Sequence, residues 1–316
     1  MTASGPGRTR WDDLVADTEL LDAELPDARF VDATYLRWLY DENPLGGSYD
    51  HHLDDEDGRR VGHYALIPQR YRNRDGEQPF AFSLNAVARS GSQRRGFFGR
   101  IGGEIWGRAQ ADGVKFIVAV CNEKSTGAVR KQGWRIMGRM PATVVVPSMA
   151  PIRDIDSYDI TPDFLGTQAF DDLVQGLDRS PAWNWTNCWT PDYLRWRLAA
   201  PNSPRFTLHR SPELVGISTV HRIGRVPFTV VLKLLPRDGR FGPISARPLV
   251  SAMCRHHRSP LAIYAGHNRH VVVRGIPLPE RLKPAPLVIC ALSLSDEIDQ
   301  NTFVLDTFEF LDMDAY

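Results

Sequence analysis

The chain has 316 residues with 38 basic and 38 acidic side chains, so its formal net charge of +0 gives no global field for nucleic acid or an anionic membrane. Hydrophobic residues make up 42% and charged residues 24%, which is typical of a globular protein and excludes a disordered chain. The four cysteines form no C-x-x-C pair, so we interpret them as core residues and expect neither disulfides nor a metal site.

Length and the first residues set the expected organisation. Single hydrophobic cores stop growing at about 250–300 residues, so we expect two domains, residues 1–150 and 151–316. Residues 1–15 lack the apolar core of a signal peptide, and no stretch approaches the ~20 apolar residues that span a bilayer. We therefore expect a cytoplasmic protein with no membrane and no nucleic-acid partner.

The periodicity of apolar residues predicts a mixed α/β order. In the first half it predicts helices at 29–40, 97–111 and 124–132 and strands at 61–68, 80–89, 114–121 and 142–147. In the second half it predicts helices at 167–177 and 191–199 and strands at 226–235, 260–266, 271–273, 287–292 and 303–311. Strands therefore dominate the second half.

A tetrapeptide repeats between the two halves. Tyr35-Leu36-Arg37-Trp38 recurs as Tyr193-Leu194-Arg195-Trp196, and a glycine-led strand pattern follows each copy, at 62–67 and 216–221. We name this pair of tetrapeptides the YLRW repeat. Its order of helix, loop and strand predicts two related halves, although two unrelated amphipathic helices remain the alternative.

The strand at 80–89 leads into a polar turn, residues 90–99, that opens the helix at 97–111. Unpaired N–H groups of a first helical turn carry partial positive charge, and Arg94 and Arg95 add to it. Gly96 allows the backbone to approach an anion closely. This combination suits a pyrophosphate, and an ordinary surface loop is the alternative.

Three motifs in this region resemble the GCN5-related N-acetyltransferases (GNAT). The segment Gln93–Phe98 is similar to the Q/R-x-x-G-x-G/A loop that grips coenzyme A in that family, although Phe98 stands where Gly or Ala is usual and Gly99 follows it. Asn122 resembles the family's residue that starts the next helix, and Lys131-Gln132-Gly133-Trp134 resembles the motif that ends it. The resemblance covers residues 60–147.

The resemblance implies tandem GNAT-like domains, each a mixed, mostly antiparallel sheet flanked by helices. Residues 1–150 would bind acetyl-CoA as acyl donor, and residues 151–316, in which we find no pyrophosphate loop, would close the acceptor pocket. The implied cofactor contacts are Ala86, Val87, Ala88, Gln93, Arg94, Arg95, Gly96, Phe97, Phe98, Gly99, Asn122 and Ser125.

The catalytic residues are less clear from the sequence. The acid tyrosine that many GNAT enzymes carry in the helix after the Asn has no counterpart, because Val129 and Arg130 occupy that neighbourhood. His63, Tyr64 and Asn85 lie on strands expected to border the thioester, so they are the candidates for acid and base. A half-buried structural histidine is the alternative for His63, and a held water is the alternative base.

These observations predict an N-acetyltransferase that acts on a small-molecule amine, such as an amino sugar or an amino-acid-derived metabolite, by direct attack in a ternary complex. Two alternatives are a FemX-like aminoacyltransferase, which uses aminoacyl-tRNA, and a non-catalytic binding protein with an inherited fold. The first predicts a broad basic face, which the balanced charge argues against.

Two clusters in the second half invite other interpretations. Four histidines, His256, His257, His267 and His270, lie near Cys254, but their spacing matches no common zinc pattern, so we expect exposed loops. The tryptophans of the segment 183–189 are interpreted as packing residues, with a wall for a sugar-like or aromatic acceptor as the alternative.

The turn supports a first testable prediction. Replacing Arg94 and Arg95 by Ala should weaken acetyl-CoA binding at least tenfold, since charge-assisted hydrogen bonds to phosphate contribute about 1.5–3 kcal/mol each. Calorimetric titration of both proteins, with unfolding measured in parallel, checks this. Equal affinities in two folded proteins would show that residues 90–99 are only a surface turn.

Overall fold

The computed structural model describes residues 9–25, 31–91, 97–150, 153–177, 182–237, 243–279 and 287–313. The helices in these ranges are α1 (Trp11–Glu24), α2 (Ala33–Asp41), α3 (Phe97–Ala111), α4 (Glu123–Lys131), α5 (Pro162–Leu165), α6 (Gln168–Val174), α7 (Pro191–Leu198) and α8 (Arg247–His256), and a 3-10 turn follows at Phe310–Asp312. None of these helices is long and apolar enough to cross a bilayer.

The strands of the first half are β1 (Tyr49–Asp54), β2 (Arg60–Asn73), β3 (Gly76–Ala88), β4 (Phe116–Cys121), β5 (Arg135–Arg139) and β6 (Ala142–Val145). Those of the second half are β7 (Asp156–Asp159), β8 (Thr186–Asn187), β9 (Thr207–Arg210), β10 (Leu214–Ile223), β11 (Val226–Pro236), β12 (Ile244–Ser245), β13 (Ala262–Asn268), β14 (Val271–Val272), β15 (Ile276–Pro277), β16 (Val288–Ser293) and β17 (Thr307–Glu309).

Two large sheets have the same topology. The first has the order β1-β2-β3-β4-β16-β5, and the second contains β9-β10-β11-β13-β6-β15, with β7 added beyond β9. In each sheet the third and fourth strands of this series run parallel, β3 with β4 and β11 with β13, while their other neighbours pair antiparallel. The prediction of two related, mostly antiparallel halves is therefore confirmed.

Each half contributes one strand to the sheet of the other. β6 leaves the first half and pairs between β13 and β15, and β16 leaves the second half and pairs between β4 and β5. The two exchanged strands occupy equivalent places. Because each sheet is completed by the other half, neither sheet has all its strands without the whole chain, and the division at residue 150 stays a prediction.

The sheets enclose one shared core. Inward-facing side chains of both sheets pack with α1, α2, α6 and α7 into a single cluster that includes Phe80, Phe116, Leu208 and Ile217. A second cluster lies between the first sheet and α3, and a third lies between the second sheet and α8. The layers are therefore α3, first sheet, central helices, second sheet and α8.

The YLRW repeat forms the contact at the centre of that core. Trp38 Nε1 donates to the carbonyl oxygen of Trp196 at 3.1 Å, and Trp196 Nε1 donates to that of Trp38 at 3.2 Å. The two rings stack with centroids 4.7 Å apart. The helix caps repeat as well, since Asp32 accepts from Tyr35 N and Thr190 accepts from Tyr193 N. This contact is reciprocal in the manner of a two-fold interface.

Several predicted elements differ from the observed ones. The helix predicted at 97–111 is observed with those bounds, whereas the sequence analysis did not predict α1, β1 or α8. In α1 the buried Asp17 interrupts the apolar face formed by Leu14, Leu20 and Leu21. The strand predicted at 303–311 is wrong for most of its length, because only 307–309 form a strand, Leu305 makes an isolated bridge to Trp185, and a 3-10 turn follows at 310–312.

The Trp pair gives a prediction about stability. Substituting Trp38 or Trp196 by Phe should lower the free energy of unfolding by about 1–3 kcal/mol, because each change removes a buried hydrogen bond between the two helices and part of the stacked ring contact. The two losses should be similar, since the contact is reciprocal. Trp183→Phe is the control, because that side chain is 58% exposed. Urea denaturation measures all three, and a loss no larger than the control's would contradict the prediction.

Candidate active site

The parallel strands of the first sheet separate part-way along their length. β3 and β4 pair from Phe80 opposite Phe116 to Ser83 opposite Ala119. Beyond that point β3 continues to Ala88 and β4 to Cys121 without pairing with each other. The separation leaves a wedge between the two strands, bounded on its open side by α4.

A β-bulge lies at the point of separation. Ala65 of β2 pairs with Leu84 and His63 pairs with Val87, so Asn85 and Ala86 oppose Tyr64 alone. Asn85 has φ +51°, in the left-handed region that asparagine tolerates better than most residues. A bulge of this kind removes backbone groups from the ladder and makes them available to a ligand in the wedge.

A buried network supports the bulge from behind. His63 Nδ1 lies 3.3 Å from the carbonyl oxygen of Asn85, and His63 Nε2 faces Asp17 Oδ2 at 3.4 Å. Asn85 Nδ2 donates to Tyr40 Oη at 2.8 Å. Burial raises the pKa of Asp17, while His63 and then Arg60 act in the opposite direction. These contacts hold the left-handed residue in place.

The wedge contains a cavity of about 210 Å³. A water molecule needs roughly 10–15 Å³ of such space, so the cavity has room for a bound molecule. Its lining comprises Leu25, Tyr64, Ser83, Leu84, Asn85, Ala86, Ala119, Val120, Cys121, Asn122, Ser125, Ala128, Val129, Gln132 and Trp134. Exposed Ala86 and Asn122 lie at its mouth, and buried Tyr64, Ala119 and Trp134 form its floor.

The N-terminus of α4 borders this cavity. Asn122 caps the helix by accepting from Ser125 N at 2.9 Å, and Ser125 Oγ donates to Asn122 O at 3.1 Å. An asparagine at this position satisfies one of the free N–H groups that begin a helix. The start of α4 thus presents a polar edge, with partial positive charge, to the wedge.

Tyr64 supplies a hydroxyl at the floor of the cavity. Its Oη accepts from Trp106 Nε1 at 3.2 Å and lies 3.0 Å from Ser83 Oγ. Burial raises the pKa of Tyr64 to about 12, so the phenol keeps its proton at neutral pH. Cys121 lies nearby, and its hydrogen bond with the Cys290 thiol lowers the pKa of Cys121 against the effect of burial.

Comparison with family models and with curated proteins returns no match to this sequence. Comparison with solved structures finds a conserved protein from Enterococcus faecalis V583, a probable N-acyltransferase, with TM-score 0.59 and 12% identity over 91% of this chain and 72% of that one. A GCN5-related N-acetyltransferase from Anabaena variabilis gives 0.57 and 10% over 91% and 72%. A tandem GNAT protein from the clavulanic acid biosynthesis pathway gives 0.51 and 12% over 90% and 96%.

The chain has the tandem GNAT fold. At identities of 10–12% the comparisons concern the architecture. The predicted fold class is confirmed by them and by the two matching sheets described above, and the resemblance to GNAT proteins holds at the level of the fold.

The sequence-predicted site residues fall into three groups. Tyr64, Asn85, Ala86, Asn122 and Ser125 line one cavity. His63, Val87 and Ala88 lie beside it without lining it: His63 supports the bulge, Val87 faces the shared core and Ala88 faces α3.

The third group belongs to the turn at 90–99. Gln93, Arg94, Arg95 and Gly96 lie outside the described residues. Phe97, Phe98 and Gly99 open α3, and the side chains of Phe97 and Phe98 also lie outside the description. The pyrophosphate-binding role of this turn therefore stays a prediction.

Sequence reasoning missed several lining residues. Ser83 and Ala119 were not singled out, Cys121 was interpreted only as a core residue, and Trp134 only as the end of a motif. Ser83 and Ala119 are the last pair before the strands separate. The apolar pattern of a strand in the sequence does not indicate the residue at which its pairing with a neighbouring strand ends.

The second half has the same separation, but its own side chains fill it. β11 and β13 pair only from Thr229 opposite Ala262 to Val231 opposite Tyr264, and a bulge follows in β11. Beyond this point Glu309 Oε2 accepts from Leu234 N at 3.5 Å, and Asn268 Nδ2 donates to the Leu234 carbonyl oxygen at 2.9 Å. Protein groups thus satisfy the backbone that the first half leaves facing a cavity.

A buried ion triad holds this filling in place. Lys233 Nζ lies 3.1 Å from Glu309 Oε2 and 2.6 Å from Asp312 Oδ2, and all three side chains are almost fully buried. Burial opposes the charge of Lys233, but Asp312 and Glu309 raise its pKa above the ordinary value. Asp312 is therefore a structural partner of Lys233.

Of the four clustered histidines of the second half, His257 belongs to a serine-linked network that also contains His209. His209 lies fully buried, 2.7 Å from Ser157 Oγ and 2.8 Å from Ser218 Oγ, and His257 shares Ser218 at 2.8 Å. The part of the chain that the structure describes contains no group of three or more side chains arranged to hold a metal. Burial, with His257 and His256 beside it, lowers the pKa of His209 to about 3.

This network predicts a pH dependence of stability. An unfolded histidine takes up a proton near pH 6.5, whereas folded His209 does not until about pH 3. The contribution of neutral His209 to the free energy of unfolding is therefore complete above pH 6.5. It is lost as the pH falls, and the loss reaches about 3 kcal/mol at pH 4.5. His209→Gln should be less stable at pH 7 but should lose less on acidification. Urea denaturation from pH 7 to 4.5 measures this, and parallel curves for the two proteins would contradict it.

Proposed function

We propose that the protein is an acyl-CoA-dependent N-acyltransferase that transfers an acetyl group from acetyl-CoA to the amine of a small molecule, such as an amino sugar or an amino-acid-derived metabolite. One observation carries the proposal: the wedge between β3 and β4 holds an open cavity beside a bulge, whereas the equivalent wedge of the second half is filled. The structural relatives support it, since they include an N-acetyltransferase and a tandem GNAT protein.

The cavity suits the pantetheine arm of the donor. Its lining offers polar groups at the mouth, from Asn85, Asn122 and Ser125, and apolar walls below them, from Ala119 and Val129. An extended arm between two separated strands finds backbone N–H and C=O groups that no neighbouring strand uses. In this proposal the thioester lies near the bulge at Asn85 and Ala86.

The reaction is a direct displacement at the thioester carbonyl. The amine nitrogen forms a bond to the carbonyl carbon, the carbon–sulfur bond breaks, and the proton of the amine leaves to a base. Backbone N–H groups at the bulge stabilise the oxyanion, an effect of roughly 3 kcal/mol for one donor. A water serves as the base in this proposal, because both ring nitrogens of His63 face protein groups.

We assign to Tyr64 the role of stabilising the thiolate that leaves from the thioester. Val129 and Arg130 occupy the neighbourhood in which many GNAT enzymes carry their acid tyrosine, and Val129 lines the same cavity as Tyr64. With a pKa of about 12, the phenol of Tyr64 remains protonated and donates a hydrogen bond to the developing thiolate. His63 and Asp17 act as positioning residues for the bulge.

Acetyl-CoA should stabilise the folded protein if the proposal is correct. A ligand at 100 times its Kd adds about 2.7 kcal/mol to the free energy of unfolding, which urea denaturation with and without acetyl-CoA measures. Thiol release during incubation with amino sugars, amino acids and diamines then identifies the acceptor. No stabilisation would reject acyl-CoA binding, and stabilisation without thiol release from any amine would favour a non-catalytic binding protein.

The same assay tests Tyr64. Tyr64→Phe should reduce turnover at least tenfold and leave the affinity for acetyl-CoA nearly unchanged, because the hydroxyl acts on the leaving group. Tyr158→Phe in the second sheet is the matched control, since Tyr158 lies outside the cavity lining. Unchanged turnover in Tyr64→Phe would remove this role.

A further inference from the structure

The indole N–H of Trp134 is a buried donor for which the described part of the chain supplies no acceptor. Trp134 is 4% exposed and lines the floor of the cavity between β3 and β4. Among the described residues no acceptor lies within hydrogen-bond distance of its Nε1. Buried polar groups nearly always have a partner, so a specific exception calls for a physical explanation.

Four other tryptophans of the molecule show the usual arrangement. Trp38 and Trp196 donate to each other's carbonyl oxygens, Trp106 donates to Tyr64 Oη, and Trp189 donates to Asp312 Oδ1. Each of these N–H groups has an acceptor supplied by the protein. Trp134 differs in that it borders a cavity with room for a bound molecule.

The residues that line the cavity limit the kind of acceptor group that a bound molecule can place there. Its lining contains no arginine, lysine, aspartate or glutamate among the described residues, so the site offers no counter-charge to an anion. The edge contact of Trp106 with Trp134, at a ring separation of 5.9 Å and an angle of 65°, restrains the plane of the indole. A fixed neutral donor in an uncharged cavity suits a neutral oxygen, such as an amide or thioester carbonyl.

We propose that Trp134 Nε1 donates a hydrogen bond to a carbonyl oxygen of the bound acyl-CoA. This hydrogen bond fixes how deeply the acyl-CoA enters the wedge between β3 and β4. This inference rests on the proposed acyl-CoA function. The carbonyl belongs either to the pantetheine arm or to the acyl group, because both carry neutral carbonyl oxygens. If the carbonyl belongs to the arm, the affinity for every coenzyme A ligand depends on Trp134. If it belongs to the acyl group, only the affinity for ligands that carry that group depends on it.

Trp134→Phe tests the proposal, because it removes the N–H and keeps an aromatic ring. Binding of coenzyme A, acetyl-CoA and acetoacetyl-CoA is measured by calorimetry for wild type and variant. We expect about tenfold weaker binding of at least one ligand, which corresponds to about 1.4 kcal/mol. An equal loss for all three assigns the carbonyl to the arm, and a loss confined to acyl-CoAs or to acetoacetyl-CoA assigns it to the acyl group.

Trp189→Phe is the matched control. It removes the N–H of a buried tryptophan that already has a protein acceptor, Asp312 Oδ1, and that does not line the cavity. Its affinities should remain near those of wild type. If folded Trp134→Phe binds all three ligands as tightly as wild type, the inference is wrong and its N–H serves only the ring of Trp106. If wild type itself binds none of them, the acyl-CoA function and this inference fail together.

Discussion

The reciprocal contact between Trp38 and Trp196 joins the two halves at the point on which the rest of the architecture depends. Each indole gives its N–H to the backbone of the other helix, so both polar groups are satisfied inside the shared core. The contact fixes two equivalent helices, α2 and α7, face to face. With them fixed, the two sheets lie on either side of one core, and their exchanged strands β6 and β16 lie within reach of the opposite sheet.

Strand exchange also shapes the candidate site. β16 pairs with the whole length of β4, from Val288 opposite Cys121 to Ser293 opposite Phe116. This pairing holds β4 on its far side while β4 separates from β3, so the wedge stays open without leaving β4 as a free edge. The strand that keeps the first wedge open therefore comes from the second half, which makes the site a property of the whole chain.

The same strand separation is open in the first half and filled by protein side chains in the second. Both sheets have a bulge and a strand separation in equivalent places, and each separation exposes backbone groups that need partners. In the second half Glu309 and Asn268 supply them, and the buried Lys233 neutralises Glu309. In the first half a cavity remains, and the N–H of Trp134 at its floor finds no acceptor in the described ranges of the chain. A duplicated fold thus retains one open site and stabilises the other copy as structure.

The sequence by itself determined the features that depend on local chemistry. The YLRW repeat predicted two related halves, the pattern at 97–111 predicted α3, and Asn122 was recognisable as a helix cap because a side-chain oxygen three residues before its donor can reach it. Only the tertiary structure decided which strands pair, where β3 leaves β4, and that Glu309 fills the second wedge. The physical reason is that alternation along a strand reports which face is buried, whereas hydrogen-bond partners come from residues far away in the chain.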